Sequence, residues 1–158
     1  MKHLPKHLRP RWRYVAVGIE TWPDAEVTRR SFQRRLWFAA QNLLGDPGSA
    51  DADLTVLSVS FADGVGEALV RVRREHLEDA RAAIACVHRI SRQPVRVTVR
   101  GVSGTVRACE EKYLGRRTEV TDTSVVFENA DRRAAARGAL LDLRTDGSYT
   151  GATRYDIE

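Results

Sequence analysis

RPRWRYVAVGIET, residues Arg9 to Thr21, joins a run of cations without a single acid to an alternating apolar stretch, and the reading of the fold starts there. Val15, Val17 and Ile19 alternate with Tyr14, Ala16 and Gly18, the period of two expected of a half-buried strand. The valines and isoleucine should face helices, with Tyr14 on the other side. Pro23 ends the strand and Asp24 is a plausible helix cap. Phe32, Leu36, Ala39 and Leu43 then recur at helical spacing up to Gly45, which predicts a helix over about 25–44. Asp46 to Asp53, with Pro47, Gly48 and three aspartates, reads as a solvated loop that lacks the spacing of a calcium site.

Further along, Leu54 to Phe61 alternates with Leu57, Val59 and Phe61 on one face, Asp63-Gly64 supplies a tight turn, and Gly66 to Arg74 returns as the second arm of a hairpin. In that return strand Ala68, Val70 and Val72 face one way, and Glu67, Leu69, Arg71 and Arg73 the other. Leu77, Ala80, Ile84 and Val87 mark a second helix over 75–90. Pro94 opens a fourth strand, where Val95, Val97 and Val99 alternate with Arg96, Thr98 and Arg100.

Strand, helix, strand, strand, helix, strand is the split pattern of an α+β, ferredoxin-like βαββαβ sandwich, with two helices on one face of a four-stranded antiparallel sheet. The uncovered face should carry Tyr14, Arg71, Arg73, Arg96 and Arg100. With Tyr14 as its one aromatic residue, that face favours recognition of backbone or shape over base stacking. Gly101-Val102-Ser103-Gly104-Thr105 and the short helix Val106 to Leu114 contain the parts of an anion nest, or equally of an ordinary turn and cap. Beyond it the chain is acidic, with a strand expected at Ser124 to Phe127 and an alanine-rich helical piece near Asp131 to Gly138. The expected organisation is a basic flexible arm over 1–12, a ferredoxin-like domain over 13–117 with an additional C-terminal helix, and an acidic tail over 118–158.

Charge is distributed unevenly. Of the net +5, residues 1–13 contribute +5 and residues 66–117 contribute +6, whereas 14–65 and 118–158 each carry −3. Only three of the 26 cations are lysines, Lys2, Lys6 and Lys112, and arginine's rigid fork suits bidentate phosphate contacts. An arm bearing several cations gains free energy by releasing counterions from a polyanion. On the first helix, Arg30, Arg34, Trp37 and Gln41 form a second stripe of residue types common in binding hot spots, read as a protein or RNA contact. Cys86 and Cys109 have no metal-site spacing and read as small buried apolar residues. Glu110 and Glu111 diverge on adjacent helix positions, and no serine or histidine sits in a nucleophile motif, so a protein catalyst is not expected. No apolar run reaches the length of a membrane span, and the polar start lacks the core of a secretory signal, so a cytoplasmic location is expected.

LPKHLRPRWRYVAVGIE at the start and VRVTVRGVSGTVRACEEKYL after the fourth strand, with the βαββαβ order between them, resemble the archaeal ribonuclease P protein component 2 family, related to eukaryotic subunits of ribonuclease P and MRP. The resemblance covers residues 1–117. It implies a non-catalytic protein subunit of a ribonucleoprotein whose RNA removes the 5′ leader of precursor tRNA. It also implies no cofactor bound by the protein, Mg²⁺ held largely by RNA phosphates, and pairing with protein component 3. RNA contacts are carried onto Lys2, Lys6, Arg9, Arg11 and Arg13 in the arm, and onto Arg100, Ser103, Thr105 and Arg107 around the glycine motif. Together with Arg71, Arg73 and Arg96 from the uncovered face, these are the candidate RNA-binding residues. Two other readings stay open: a ribosome-associated RNA-binding protein of the same fold, and a dimerising domain that binds a metabolite.

Overall fold

A computed structural model describes residues 3–157. Strand β1 (Trp12–Glu20) is followed by helix α1 (Arg29–Ala52), strands β2 (Thr55–Ala62) and β3 (Val65–Arg73), helix α2 (Leu77–Ala85), a small hairpin of β4 (Arg89–Ile90) and β5 (Gln93–Pro94), strand β6 (Arg96–Ser103) and helix α3 (Val106–Tyr113). The four long strands form one antiparallel sheet in the order β2-β3-β1-β6. Val15, Val17 and Ile19 of β1 and Ala68, Val70 and Val72 of β3 point to the face where Phe32, Leu36 and Ala40 of α1 and Ala80 and Ile84 of α2 complete the main core. Each fully buried Val, Leu, Ile or Phe among these stabilises the fold by about 1.5–3 kcal/mol relative to exposure.

Local chemistry moves several helix boundaries from their expected places. Thr28, not Asp24, caps α1: its hydroxyl accepts from Ser31 N at 3.1 Å, while Ser31 Oγ accepts from Thr28 N at 3.0 Å. The expected loop at Asp46–Asp53 is helical. Gly45, with φ at 72°, bends α1, and the helix then resumes through Pro47, a residue tolerated in a first helical turn. At that bend Leu44 packs on the core and the neighbouring Leu43, expected inside, is 46% exposed. Helix α2 is shorter than 75–90. A 3₁₀ turn, Arg74–His76, precedes it, and the β4–β5 hairpin takes the residues expected at its end. Cys86 is consequently exposed, whereas Cys109 is buried as expected.

Two bulges decide which side chains reach the second face of the sheet. The register of β2 against β3 slips between Val56 and Ser58, so Val56 enters the main core and Leu57 turns away from it. The register of β6 slips opposite Ala16 and Val17, leaving Arg100 as the extra residue. The second face is not open: α3 lies on it, and Tyr14, Ala16, Leu57, Leu69, Cys109 and Tyr113 make a small second core.

The tail is ordered as an antiparallel meander, β7 (Thr121–Phe127), β8 (Ala130–Arg137), β9 (Leu140–Thr145) and β10 (Ser148–Thr153), in the sheet order β10-β9-β8-β7. The alanine-rich piece expected to be helical is strand β8. Three two-residue turns override alanine's helical preference. Glu128-Asn129 and Asp146-Gly147 both have positive φ at each position, and Gly138 opens the third turn at φ 60°. Such turns match the twist of adjoining strands and commit the chain to hairpins. Ala134, Leu141, Leu143 and Ala152, with Val125, Phe127 and Ile157, form the meander's own core.

Candidate nucleic-acid interface

The N-terminal end of β1 and the C-terminal end of β3 lie side by side, Trp12 opposite Arg73 and Tyr14 opposite Arg71. The arm is held there, since Arg74 N donates to Arg11 O at 2.9 Å, and Arg9 Nε folds back to Leu4 O at 2.8 Å. Trp12 faces the α3 side of the sheet. The Arg71 guanidinium carbon lies 4.0 Å from the centroid of its ring and that of Arg73 4.9 Å, within range of cation–π attraction. Tyr14 was expected as the one aromatic residue of this face, and Trp12 is a second. The signal for Trp12 was available, because it continues the same alternation two residues earlier.

The glycine motif lies at this end too, with Ser103 opposite Tyr14 and a Cβ at Gly104 3.8 Å from Arg13 Nη1. Thr105 caps α3, its Oγ1 accepting from Ala108 N at 3.2 Å, and exposed Arg107 pairs with Glu111 at 2.8 Å. A Cβ on Gly101 would stand 2.3 Å from the Tyr113 ring, so Gly101 has a packing duty: it lets α3 dock. Arg11, Arg13, Arg71, Arg73, Ser103, Thr105 and Arg107 are thus gathered around one end of the sheet, where the exposed arm with Lys6 and Arg9 also leaves. Lys2 lies outside the described residues.

Arg100 and Arg96 are placed differently. The Arg100 side chain crosses the central strand above Gly18 and binds the carboxylate of Glu67, itself 7% exposed. A Cβ at Gly18 would come within 2.8 Å of Arg100 Nε. Glu67 also accepts from Gly115 N at 2.8 Å and Arg116 N at 3.0 Å, which ties down the chain leaving α3. Burial alone would push the Glu67 carboxyl up, but these N–H groups and the Arg100 charge outweigh it and hold the pKa below the ordinary value. Arg100 therefore has a role inside the fold. Arg96 sits at the opposite end of β6, 3.7 Å from Glu20, which also lies 3.6 Å from Arg137 of the meander. Arg137 in turn approaches Asp142 at 2.7 Å; burial raises the Asp142 pKa, Arg137 opposes that, and Glu20 adds to it. Trp22 stacks on Tyr149 with ring centroids 5.9 Å apart, so ions and aromatics together fasten the meander to the sheet.

On α1, Arg30, Arg34 and Gln41 are exposed and Trp37 is 51% exposed, although its Nε1 donates to Leu54 O at 2.9 Å. Phe38, 47% exposed beneath the Arg34 guanidinium, extends this surface without having been singled out by spacing, and Leu43, expected in the buried stripe, extends it too because the bend at Gly45 turns it outward.

The family model described as the Rpp14/Pop5 family matches residues 13–114. Ribonuclease P protein component 2 of Halorubrum lacusprofundi is 62% identical over the whole of both chains, and that of Haloarcula marismortui is 59% identical over 99% of each. Ribonuclease P protein component 2 of Methanosarcina barkeri is 30% identical over 114 residues, 72% of this chain and 80% of that one. Among solved structures, a chain in the cryo-EM structure of yeast ribonuclease MRP aligns with 63% of this chain and 79% of its own, at 15% identity and a TM-score of 0.47.

Proposed function

The chain belongs to the Rpp14/Pop5 family as a protein subunit of ribonuclease P, and from that premise we propose that it contacts the catalytic RNA through the arm end of its sheet. The carrying observation is the placement of unneutralised cations. Arg9, Arg11, Arg13 and Arg71 make no ion pair among the described residues, whereas Arg96, Arg100 and Arg137 each hold a carboxylate. In this reading the subunit supports the RNA as it removes the 5′ leader of precursor tRNA, with Mg²⁺ carried by RNA phosphates and the complex in the cytoplasm. The strand order and the two helices on one face support a ferredoxin-like description of residues 13–117. The exposed patch of Trp37, Phe38 and Leu43, edged by Arg30 and Arg34, is the surface assigned to protein component 3.

Changing Arg9, Arg11 and Arg13 to alanine in the reconstituted holoenzyme tests the RNA contact. Each lost phosphate contact should lower the slope of log affinity against log salt by about 0.7–0.9. An unchanged slope would remove the arm from the RNA interface. Sequencing RNA that copurifies with the tagged protein provides an independent check, and recovery of ribosomal RNA alone would favour a ribosome-associated role.

A further inference from the structure

Arg71 and Arg73 are alternate residues of one strand, and both guanidinium groups rest against the single indole of Trp12. A guanidinium stacked by its face keeps its N–H edges available, and stacking restricts the long side chain before any ligand arrives. The local acids do not close this site. Among the described residues Arg71 has no carboxylate partner, and Asp53 stands 3.9 Å from Arg73 Nη2 with both side chains partly exposed. Arg71 Nε is buried without a hydrogen-bond partner, so any acceptor for this guanidinium would have to come at its terminal N–H groups. Arg13 Nη1, meanwhile, donates to Trp12 O at 3.2 Å, so a further cation is held at the same end of the sheet.

Resting on the ribonuclease P reading, we infer that Trp12 is a positioning residue that holds Arg71 and Arg73 as a paired guanidinium site for an RNA phosphodiester. Phosphate suits the site because its oxygens can take two planar forks at once, a geometry that lysine cannot reproduce. Trp12 acts through the arginines. Its contribution is their orientation, so an aromatic replacement should serve and an aliphatic one should not.

The test measures binding of the full chain to ribonuclease P RNA over a range of monovalent salt, with thermal unfolding of each variant. The R71A/R73A double variant should lower the salt slope by about one contact, roughly 0.7–0.9. Trp12→Phe should keep nearly native affinity, while Trp12→Leu should weaken binding about three- to five-fold, the scale of an exposed cation–π contact. Arg71→Lys with Arg73→Lys preserves charge and should preserve the slope, yet lose affinity several-fold; this pair decides the matter if Trp12→Leu fails to fold. The site is overturned if R71A/R73A leaves the slope native while the arm variant lowers it, or if folded Trp12→Leu matches Trp12→Phe. Loss of a protein partner with an unchanged RNA slope would likewise overturn it. If wild-type protein shows no salt-dependent RNA affinity, the proposed RNA contact at this end of the sheet fails with it.

Discussion

Glu67 supports a large part of the second face from one buried position. Its carboxylate gathers Arg100 across Gly18 and the backbone N–H groups of Gly115 and Arg116. Glu67→Gln should therefore destabilise the protein at neutral pH by about 2–4 kcal/mol, because Arg100 is left without its counter-charge in a partly buried setting. The folded pKa lies below the ordinary one, so the contribution is present above the unfolded value and is lost as pH falls through the folded value. Denaturant unfolding should show wild type and Glu67→Gln separating at neutral pH and converging in acid; a constant gap would refute the ionic account. Gly18→Ala should displace Arg100 and imitate part of the same effect, and the double variant should cost less than the sum of the singles. Such couplings are not legible residue by residue. Arg100 looked like one more outward cation because its bulge position and the glycine beneath it become meaningful only when three strands are aligned.

Elements end where their chemistry ends them, and α1 shows how finely. The reciprocal Thr28–Ser31 bonds make its start a capping box, so Thr28→Ala should cost about 1 kcal/mol in thermal or denaturant unfolding. A change below the measurement error would mean that tertiary packing alone fixes the start. Gln33, buried in the same helix, donates to Leu54 O at 3.1 Å and accepts from Val56 N at 2.6 Å, satisfying edge-strand groups beside the β2 bulge. Hydrophobic spacing located the helix and four long strands because each buries one regular face. It missed the β2 bulge, which exchanges Leu57 for Val56, because alternation assumes an unbroken register. It missed β8 because alanine alone carries little information about its neighbours, whereas the flanking turns at Glu128-Asn129 and Gly138 carry the hairpin signal.

At the scale of the whole molecule, charge divides between the two ends of the main sheet. The meander end is internally neutralised through Arg96, Glu20, Arg137 and Asp142, while Arg11, Arg13 and Arg71 at the arm end make no ion pair among the described residues. The main core and the meander core share no residue, so removing residues 118–158 should leave 1–117 cooperatively folded and able to bind RNA. Loss of a cooperative thermal transition in that shortened chain would show that the Trp22–Tyr149 and Arg137–Glu20 contacts hold the sheet as well as the meander. The sequence by itself determined the order of the four main-sheet strands and their two covering helices, most of the main core and the concentration of charge in two blocks, because periodicity and composition are local quantities. Only the tertiary structure decided that α3 covers the second face, that Arg100 and Arg96 pair within the fold, and that Trp12 meets Arg71 and Arg73. Each of these depends on strand register and chain crossing, which bring residues tens of positions apart into contact.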